Sequence, residues 1–468
     1  MSAQATILVS APPAPNRRHY AVLAMLFAAF AIYGSVTPLR LHPMLFDEAI
    51  ERFRLVLVQP LAVPSRSDWL ANFLLLLPFG FCLMAAICCD HPYFGAPAFL
   101  VTVVACLALA VSVEFAQLFF PPRVSSINDI AAQSCGGTTG ALLWLLRGQR
   151  LTANARCLWN DFGSRSTAHL LLSLYLFVLL LVQTLPFDFT LSPVELYHKY
   201  KQGRVHFLPF TSSVGGFELT DKHFWNIVLF APVGMLLARQ TGRIQRSVTL
   251  VFLVGLSAAA AIEFAQLLTF SRFFDTTDII TGTTSVLAAW YIVRRFAGQI
   301  NKVEVRAVLI AACLAVLIFM EWQPFNFVLS LSEARLRLHQ VTWLPFVDYL
   351  VGDYINSLDD GIHKMFLFAT LGVLLMPSKS ASRAILYLRW SVAVAVTIVL
   401  EMGQLLLPTR YAGITDVLVG SAAAWVGLFV VSHVSERSGL LCGMQPASRP
   451  ASRCRSFGAA IRELKLLG

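Results

Sequence analysis

The sequence predicts an all-α protein, a polytopic transmembrane helical bundle of about 12 spans in three parallel four-helix repeats. The composition is the first reason. Of the 468 residues, 57% are hydrophobic and 13% are charged, with a mean hydropathy of +0.68, as is typical of polytopic membrane proteins. Apolar segments of roughly 17–24 residues, long enough to cross a bilayer, recur from Tyr20 to Val434. The third reason is a polar signature that occurs three times at one spacing.

The signature consists of Glu, Gln, Arg and Asp at offsets 0, 3, 9 and 15. Each copy follows one apolar run and precedes another, so its carboxylate and amide lie one helical turn apart inside a predicted span. Ionisable groups in a span are costly and normally face a bundle interior or a water-filled cavity, which makes them candidates for a functional site. The predicted binding residues are Glu114, Gln117, Arg123, Asp129, Glu263, Gln266, Arg272, Asp278, Glu401, Gln404, Arg410 and Asp416.

The signature divides the chain into repeats of four spans. Because an even number of spans returns the chain to the side from which it started, the three copies share one membrane orientation, unlike the inverted repeats of many transporters. A pseudo-threefold bundle and a row of units both fit this pattern. The predicted segments are a disordered cytoplasmic lead (1–19), repeat 1 (20–150), repeat 2 (165–296), a partly degenerate repeat 3 (304–434) and a basic cytoplasmic tail (435–468).

Each repeat also contains a predicted outer loop after its first span. Apolar and basic residues interleave in these loops, as in a helix that lies at the level of the lipid headgroups. A capping box is predicted from Ser192 to Glu195, and Ser330 and Glu333 keep its two ends. The fourth span of each repeat is rich in small residues, which lets helices approach closely. The amphipathic loops are residues 45–55, 191–204 and 328–338.

The second span combines a polar residue with a helix breaker. In repeats 1 and 2 these are Asn72 with Pro78 and Asn226 with Pro232, which we predict to be supporting residues of the site. Each proline should kink its helix and free a backbone carbonyl, for which the asparagine is a candidate partner. Repeat 3 has Lys364 in place of the asparagine, which predicts an altered or vestigial site there.

The distribution of basic residues orients the chain. With the N-terminus in the cytoplasm, the inner loops and termini carry more of the 36 Lys and Arg residues than the outer loops do. We therefore predict a multi-pass protein of the bacterial inner (plasma) membrane, with both termini cytoplasmic and the signatures at the outer face. The net charge of +10 does not indicate a nucleic-acid partner, because the sequence has no basic stripe with interleaved aromatic residues.

The motifs resemble a known family. The stretch from Asn72 to Gly80, the Glu114-x-x-Gln117 helix and the Asp129 start of a glycine-rich helix are similar to the VanZ-like family of small bacterial membrane proteins. The resemblance recurs three times and covers most of the chain. It implies a multi-span helical protein, linked in some members to low-level resistance to the glycopeptide antibiotic teicoplanin. Three copies in one chain depart from the single-unit pattern of the family.

The signature residues favour the binding of a polar headgroup. Arg suits phosphate or carboxylate, and Glu and Gln suit amides or hydroxyls, so the predicted partner is a membrane lipid or a lipid-linked cell-wall precursor. Two alternatives stay open. One is a transporter or lipid flippase, and the other is a structural scaffold in which Glu pairs with Arg, Gln bonds across helices and Asp caps a helix. The oligomeric state is open.

The sequence leans away from an enzyme. No His or Cys recurs in the three copies, so no catalytic residue is predicted. The nine cysteines show no paired spacing for a metal, and we predict neither a metal nor a cofactor. His206, His223 and His363 share no register and are interpreted as incidental.

Overall fold

The computed structural model of the protein describes residues 14–61, 65–91, 95–161, 168–211, 216–240, 247–296, 302–328, 330–339, 341–350, 354–376 and 382–442. Most of the predicted lead and the tail beyond residue 442 lie outside these ranges. The last helix continues to Cys442, past the predicted end of repeat 3 at residue 434.

The helices follow the same order in each repeat. Repeat 1 contains α1 (Arg17–Val36), α2 (Phe46–Leu57), α3 (Arg66–Cys88), α4 (Gly95–Gln117), α5 (Ile127–Leu143) and, after a π-helical turn (Trp144–Gly148), α6 (Gln149–Asp161). Repeat 2 contains α7 (Ala168–Thr184), α8 (Pro193–Lys201), α9 (Gly216–Ala238), α10 (Val248–Leu267) and α11 (Thr276–Phe296). Repeat 3 contains α12 (Val303–Trp322), α13 (Leu331–Leu338), α14 (Val347–Leu350), α15 (Tyr354–Leu375), α16 (Arg383–Gln404) and α17 (Ile414–Cys442).

Four long helices in each repeat occupy the positions predicted for the spans, which confirms the all-α bundle. Within the described ranges, seven helices are long and apolar enough to cross a membrane: α1, α3, α4, α10, α12, α16 and the Ile414–Ser432 part of α17. The segments His169–Thr184 and Lys222–Ala238 are shorter apolar helices. The chain is therefore a membrane protein.

The second and fourth long helices of each repeat are in direct backbone contact. A Cβ atom added at Gly80 in α3 would lie 2.0 Å from the carbonyl oxygen of Gly137 in α5. Only a residue without a side chain permits such an approach, so the predicted packing of small residues is confirmed. The corresponding contacts are Gly234 with the Val286 carbonyl in repeat 2 and Gly372 with the Ala424 carbonyl in repeat 3.

Each repeat contacts both of the others. A row of units would leave the two terminal units apart, so the three repeats form a closed triangle and the row is the wrong alternative. The contacts are the Arg66–Glu195 ion pair between repeats 1 and 2 (3.3 Å), the Arg272–Asp359 ion pair between repeats 2 and 3 (3.6 Å), and the hydrogen bond from the Tyr33 hydroxyl to the Pro345 carbonyl between repeats 1 and 3 (2.5 Å).

The short helices α2, α8 and α13 occupy the loops predicted to be amphipathic. The side chain of Ser330 caps α13 by accepting the N–H of Glu333 (3.5 Å). The capping box predicted at Ser192 is wrong, because the Ser192 side chain makes no capping hydrogen bond to α8. Its backbone N–H donates instead to the Thr190 hydroxyl (3.1 Å), which also bonds the Glu195 carboxylate.

Two very short parallel strands, β1 (Val205–His206) and β2 (Phe274–Asp275), join the outer loop of repeat 2 to its signature loop. The sequence does not predict these strands, because two residues are too few to show an alternating pattern. In repeat 3, a single parallel bridge between Thr342 and Gly413 makes the corresponding connection. In repeats 2 and 3, these pairings hold the loop between the third and fourth long helices, which contains the signature arginine, against the outer loop of the same repeat.

Candidate functional site

The signature glutamates are buried and hold the start of the fourth helix. Each accepts a hydrogen bond from the backbone N–H of the residue twelve positions further on, which directly precedes that helix. A carboxylate is favoured there, because the N–H groups at a helix start lack helical partners and carry the positive end of the dipole. The pairs are Glu114 with Ser126 (3.0 Å), Glu263 with Asp275 (2.9 Å) and Glu401 with Gly413 (3.1 Å).

The signature arginines do not pair with the glutamates, so that part of the scaffold interpretation is wrong. Each Arg Nε donates to the carbonyl that ends the first helix of its repeat, directly before a proline. The last carbonyls of a helix have no helical partner, and a charged donor satisfies them well. The pairs are Arg123 with Thr37 (2.7 Å), Arg272 with Leu185 (2.5 Å) and Arg410 with Gln323 (3.0 Å).

Two of the signature glutamines bond across helices, as the scaffold interpretation predicts. Gln266 donates to the Gln183 carbonyl at 3.1 Å, and Gln404 donates to the Glu321 carboxylate at 2.7 Å. Gln117 is buried near the end of α4. The third long helix thereby contacts the first helix at the same end of repeats 2 and 3.

The signature aspartates lie in the first turn of the fourth helix but are not its cap. In repeat 1 the N-cap is Ser126, and in repeat 2 the side chain of Asp275 accepts the N–H of Thr277 (2.8 Å). The capping role predicted for Asp129 and Asp278 is therefore wrong. The position before the helix already supplies the cap, so the aspartate side chain is directed to other partners.

The partners of the aspartate differ between repeats 2 and 3. Asp278 pairs with Lys222 (2.6 Å) and with His223 (2.9 Å), and both residues are in α9. Asp416 pairs with Lys364 (2.5 Å) and accepts the Tyr349 hydroxyl (3.0 Å). The interpretation of His223 as incidental is wrong, because it contacts a signature residue. Lys222 stands one helical turn before Asn226, and that spacing was the only signal in the sequence that it shares the same face.

The supporting asparagines connect the second helix to the fourth. Asn72 accepts the side-chain N–H of Gln133 at 3.1 Å, and Asn226 donates to the Asp278 carbonyl at 2.8 Å. The predicted role as partner of the carbonyl freed by Pro78 or Pro232 is therefore wrong. Both prolines lie inside α3 and α9, which continue beyond them.

In repeat 1, a glutamine side chain fills the space beside the signature glutamate. Gln133 in α5 is fully buried and donates to Glu114 and to Asn72, both at 3.1 Å. The corresponding positions in repeats 2 and 3 are Gly282 and Gly420. The repeat 1 site is thus closed by its own side chain.

In repeat 3, a lysine fills the corresponding space. Lys364 is 8% exposed and its Nζ lies 2.5 Å from Asp416, 3.0 Å from Asp360 and 3.3 Å from Glu321. A buried ammonium is tolerated where carboxylates surround it. The site is therefore altered, as predicted, and its charges form a complete network.

Repeat 2 has a cavity of about 260 Å³ at this position. It is lined by all four signature residues of repeat 2, by residues of α9 and by two residues of repeat 3. A larger cleft of about 440 Å³ beside α13 is lined by only one signature residue, Arg410. The polar residues that line the repeat 2 cavity are Gln183, Lys222, Trp225, Asn226, Glu263, Gln266, Arg272, Asp278, Asp359 and His363.

Two polar atoms of this lining have no hydrogen-bond partner among the described residues: the indole N–H of Trp225 and the side-chain oxygen of Gln266. Their residues are 4% and 6% exposed. Both atoms are themselves buried in the cavity wall, so a guest in the cavity can bond to them only if the two side chains move.

The guanidinium of Arg272 also differs from those of the other repeats. Nη2 of Arg123 donates to the Gly34 carbonyl (3.1 Å), and Nη2 of Arg410 donates to the Met320 carbonyl (3.0 Å). Nη2 of Arg272 instead faces the carboxylate of Asp359 at 3.6 Å, beyond hydrogen-bond distance. Repeat 2 therefore keeps charged donor atoms available to the cavity.

The described residues contain no group of three or more His, Cys, Asp and Glu side chains placed to hold a metal ion. The lining residues of the cavity supply cationic donors, carboxylates and amides. Such groups bind and orient a polar ligand through charge-assisted hydrogen bonds.

Comparison with known proteins gives one match. The sequence profile of the VanZ/LLP1 family matches the chain three times, at residues 19–148, 172–297 and 307–435. The chain matches no curated protein and no solved structure. The three matches cover most of the chain and coincide with the three structural repeats, so the protein belongs to the VanZ/LLP1 family and contains three tandem VanZ-like copies.

Proposed function

We propose that this protein of the bacterial inner membrane binds a polar headgroup at the outer leaflet, in the cavity of repeat 2. The headgroup belongs to a membrane lipid or to a lipid-linked cell-wall precursor. The observation that carries the proposal is the cavity itself, where the four signature residues of repeat 2 line a polar recess that Gln133 and Lys364 fill in the other two repeats. A contribution to teicoplanin resistance stays a prediction from the family resemblance.

The proposed orientation rests on charge and on the amphipathic helices. The excess of Lys and Arg in alternate loops favours cytoplasmic termini, which puts the signature ends of the helices at the outer face. Short helices α2, α8 and α13 lie at this same end, as is typical of the headgroup level. A cavity beside them is accessible to the head of a lipid.

The chemistry of the cavity favours a charged headgroup over an apolar ligand. Arg272 presents a planar guanidinium that matches phosphate or carboxylate, and Lys222 adds a second cation. Both lie among carboxylates that hold them in place. In water such groups gain little from pairing, but in a recess of the protein a charge-assisted hydrogen bond is stronger.

The scaffold alternative fits repeats 1 and 3 but not repeat 2. Their signatures have the same hydrogen bonds to the fourth helix and to the end of the first helix. Gln133 and Lys364 then occupy the space that is a cavity in repeat 2. We infer that these two repeats stabilise the bundle, while repeat 2 binds the ligand.

The test fills the cavity with the side chain that repeat 3 uses. Asn226→Lys should place an ammonium against Asp278, as Lys364 stands against Asp416. Asn72→Lys makes the same change in repeat 1 and is the matched control. Native mass spectrometry of the full chain released from lipid nanodiscs measures the retained lipid, and thermal unfolding verifies the fold.

We expect the parent and Asn72→Lys proteins to retain a headgroup lipid that Asn226→Lys loses. Retention of the same lipid by a folded Asn226→Lys protein would contradict the proposal. Loss of the lipid from both variants to the same extent would also contradict it, because the site would then not belong to repeat 2.

A further inference from the structure

We infer that the ligand of the repeat 2 cavity is a zwitterion in which a short linker joins a phosphate to a primary ammonium, as in a phosphoethanolamine group. This inference rests on the proposed function and names the class of its ligand. It follows from the way the charges of the cavity are paired.

The two ion pairs on the cavity differ in strength. Lys222 lies 2.6 Å from Asp278, which His223 also contacts, so this pair is tight and doubly held. Arg272 and Asp359 are 3.6 Å apart, and they come from different repeats. The second pair is therefore the one that a ligand can separate at low cost.

A zwitterion replaces this loose pair by two closer ones. Its phosphate pairs with the guanidinium of Arg272, and its ammonium pairs with the carboxylate of Asp359. The charge of the cavity is unchanged. A purely anionic ligand would separate Arg272 from Asp359 and leave that carboxylate without its cation beside a second negative charge, which like-charge repulsion disfavours.

The two unpaired atoms fit the same ligand. The indole N–H of Trp225 is a donor and suits a phosphate oxygen. The side-chain oxygen of Gln266 is an acceptor and suits an ammonium N–H. Both atoms are buried in the cavity wall, so these bonds require a movement of the Trp225 and Gln266 side chains.

A quaternary ammonium such as choline fits less well. Quaternary ammonium groups bind to open aromatic faces. The ring of Trp225 is stacked on His363, with centroids 3.7 Å apart and planes 8° from parallel, so one of its faces is covered. The acceptors of Asp359 and Gln266 require N–H hydrogens, which a primary ammonium has and a quaternary one lacks.

The size of the cavity indicates how much of the ligand it holds. Its volume of about 260 Å³ is below the range of roughly 300–1,000 Å³ that is usual for drug-sized ligands. It suits a headgroup of a few atoms and not a saccharide–peptide precursor. The same phosphate–ammonium chemistry occurs on a lipid and on a free molecule, and the experiment separates these sources.

The experiment uses the full chain in nanodiscs of phosphatidylcholine. Phosphatidylethanolamine or phosphatidylglycerol is added in equal amounts, and native mass spectrometry measures which lipid stays bound. Soluble phosphoethanolamine and glycerol 3-phosphate are then added as competitors. Asp359→Asn removes the proposed ammonium partner, Asp47→Asn removes an exposed carboxylate in α2 as a control, and Asn226→Lys closes the cavity.

We expect phosphatidylethanolamine to be retained about tenfold over phosphatidylglycerol and over the host lipid, and phosphoethanolamine to compete better than glycerol 3-phosphate. Asp359→Asn should abolish the preference for phosphatidylethanolamine, while phosphatidylglycerol still binds. Asp47→Asn should keep the preference for phosphatidylethanolamine. Thermal unfolding of each variant shows whether its fold is intact.

The two proposals fail in different ways. If phosphatidylglycerol or phosphatidylcholine is preferred and Asn226→Lys removes it, the zwitterion inference is wrong and the cavity still binds a headgroup. Competition by neither soluble compound would overturn the claim that the headgroup alone is recognised. If no lipid is bound in a way that depends on residue 226, the proposed function itself is wrong.

Discussion

Glu263 accepts the backbone N–H of Asp275 at 2.9 Å, and Asp275 is the residue directly before helix α11. The same bond occurs in the other two repeats, in one of which the cavity is filled by Gln133 and in the other by Lys364. Because the bond does not depend on the cavity, the primary role of the signature glutamate is to hold the loop between the third and fourth helices.

The first prediction concerns this bond in repeat 1, away from the cavity. Glu114→Ala leaves the N–H of Ser126 without its acceptor and removes one of the two acceptors of the Gln133 amide. We expect a loss of about 1–3 kcal/mol in the free energy of unfolding, measured by denaturant titration in detergent micelles. Glu114→Gln keeps one acceptor oxygen and should lose less. Equal stability of the alanine variant and the parent would contradict this role.

The second prediction concerns Arg123, which donates to the carbonyls of Thr37, Gly34 and Leu350. Arg123→Met should lower the free energy of unfolding by about 1.5–3 kcal/mol, because hydrogen bonds from a charged donor are lost and buried carbonyls are left unpaired. Arg54 is the control.

Arg54 pairs with Glu51 at the surface, where both side chains are largely exposed. Arg54→Met should cost no more than about 1 kcal/mol, as is usual for exposed ion pairs. Similar losses for the two variants would show that Arg123 contributes no more than a surface charge.

The third prediction concerns the contact of α3 with α5. Gly80→Ala places a Cβ 2.0 Å from the carbonyl oxygen of Gly137, so the two helices must separate. We expect a loss of about 3 kcal/mol or more and a lower midpoint of thermal unfolding.

Gly34 in α1 is the matched control, since its added Cβ would meet nothing closer than 3.8 Å. Gly34→Ala should change stability by no more than about 1 kcal/mol, in the favourable direction, because alanine is the better helix former. If Gly80→Ala behaved in the same way, the helices would not be in close contact.

The architecture could be predicted from the sequence because its causes repeat along the chain. Apolar runs and the thrice-repeated signature predict the three copies, and the small residues of the fourth span predict a close approach of helices. Hydropathy and small-residue content can be read from one segment at a time, because they do not depend on which helix lies opposite.

The site was less predictable, because its chemistry depends on what lies opposite. Arg272 donates to a backbone carbonyl, which the residue letters do not reveal, so the alternative that pairs it with Glu263 is wrong. Lys222 and His223 occur in one repeat only and were invisible to a search for recurrence. Gln133 fills the repeat 1 site from a position where the other copies have glycine.

The fourth prediction concerns pH. Lys199 in α8, outside the spans, donates to the carbonyls of Gln266, Leu267 and Thr269, and burial lowers its pKa from 10.5 to about 8. Between pH 8 and 10.5 the unfolded chain therefore binds more protons at this group than the folded chain does. The contribution of Lys199 to stability should rise as the pH is raised through this window.

The measurement compares the parent with Lys199→Met by thermal unfolding at several pH values. The difference in stability between the two should grow between pH 8 and 10. The corresponding Arg337 in repeat 3 donates to the Leu407 carbonyl and provides the control. Because guanidinium groups in general do not titrate in this range, the difference between the parent and Arg337→Met should be constant. A constant difference for Lys199 as well would contradict the assigned pKa.

The most direct test of the headgroup site is an electron cryo-microscopy map of the full chain in nanodiscs that contain phosphatidylethanolamine. We predict headgroup density in the repeat 2 cavity, with the phosphate beside Arg272 and the ammonium beside Asp359. The corresponding positions of repeats 1 and 3 should show only the Gln133 and Lys364 side chains. Lipid headgroup density that is absent from repeat 2, or that is equal in all three repeats, would contradict it.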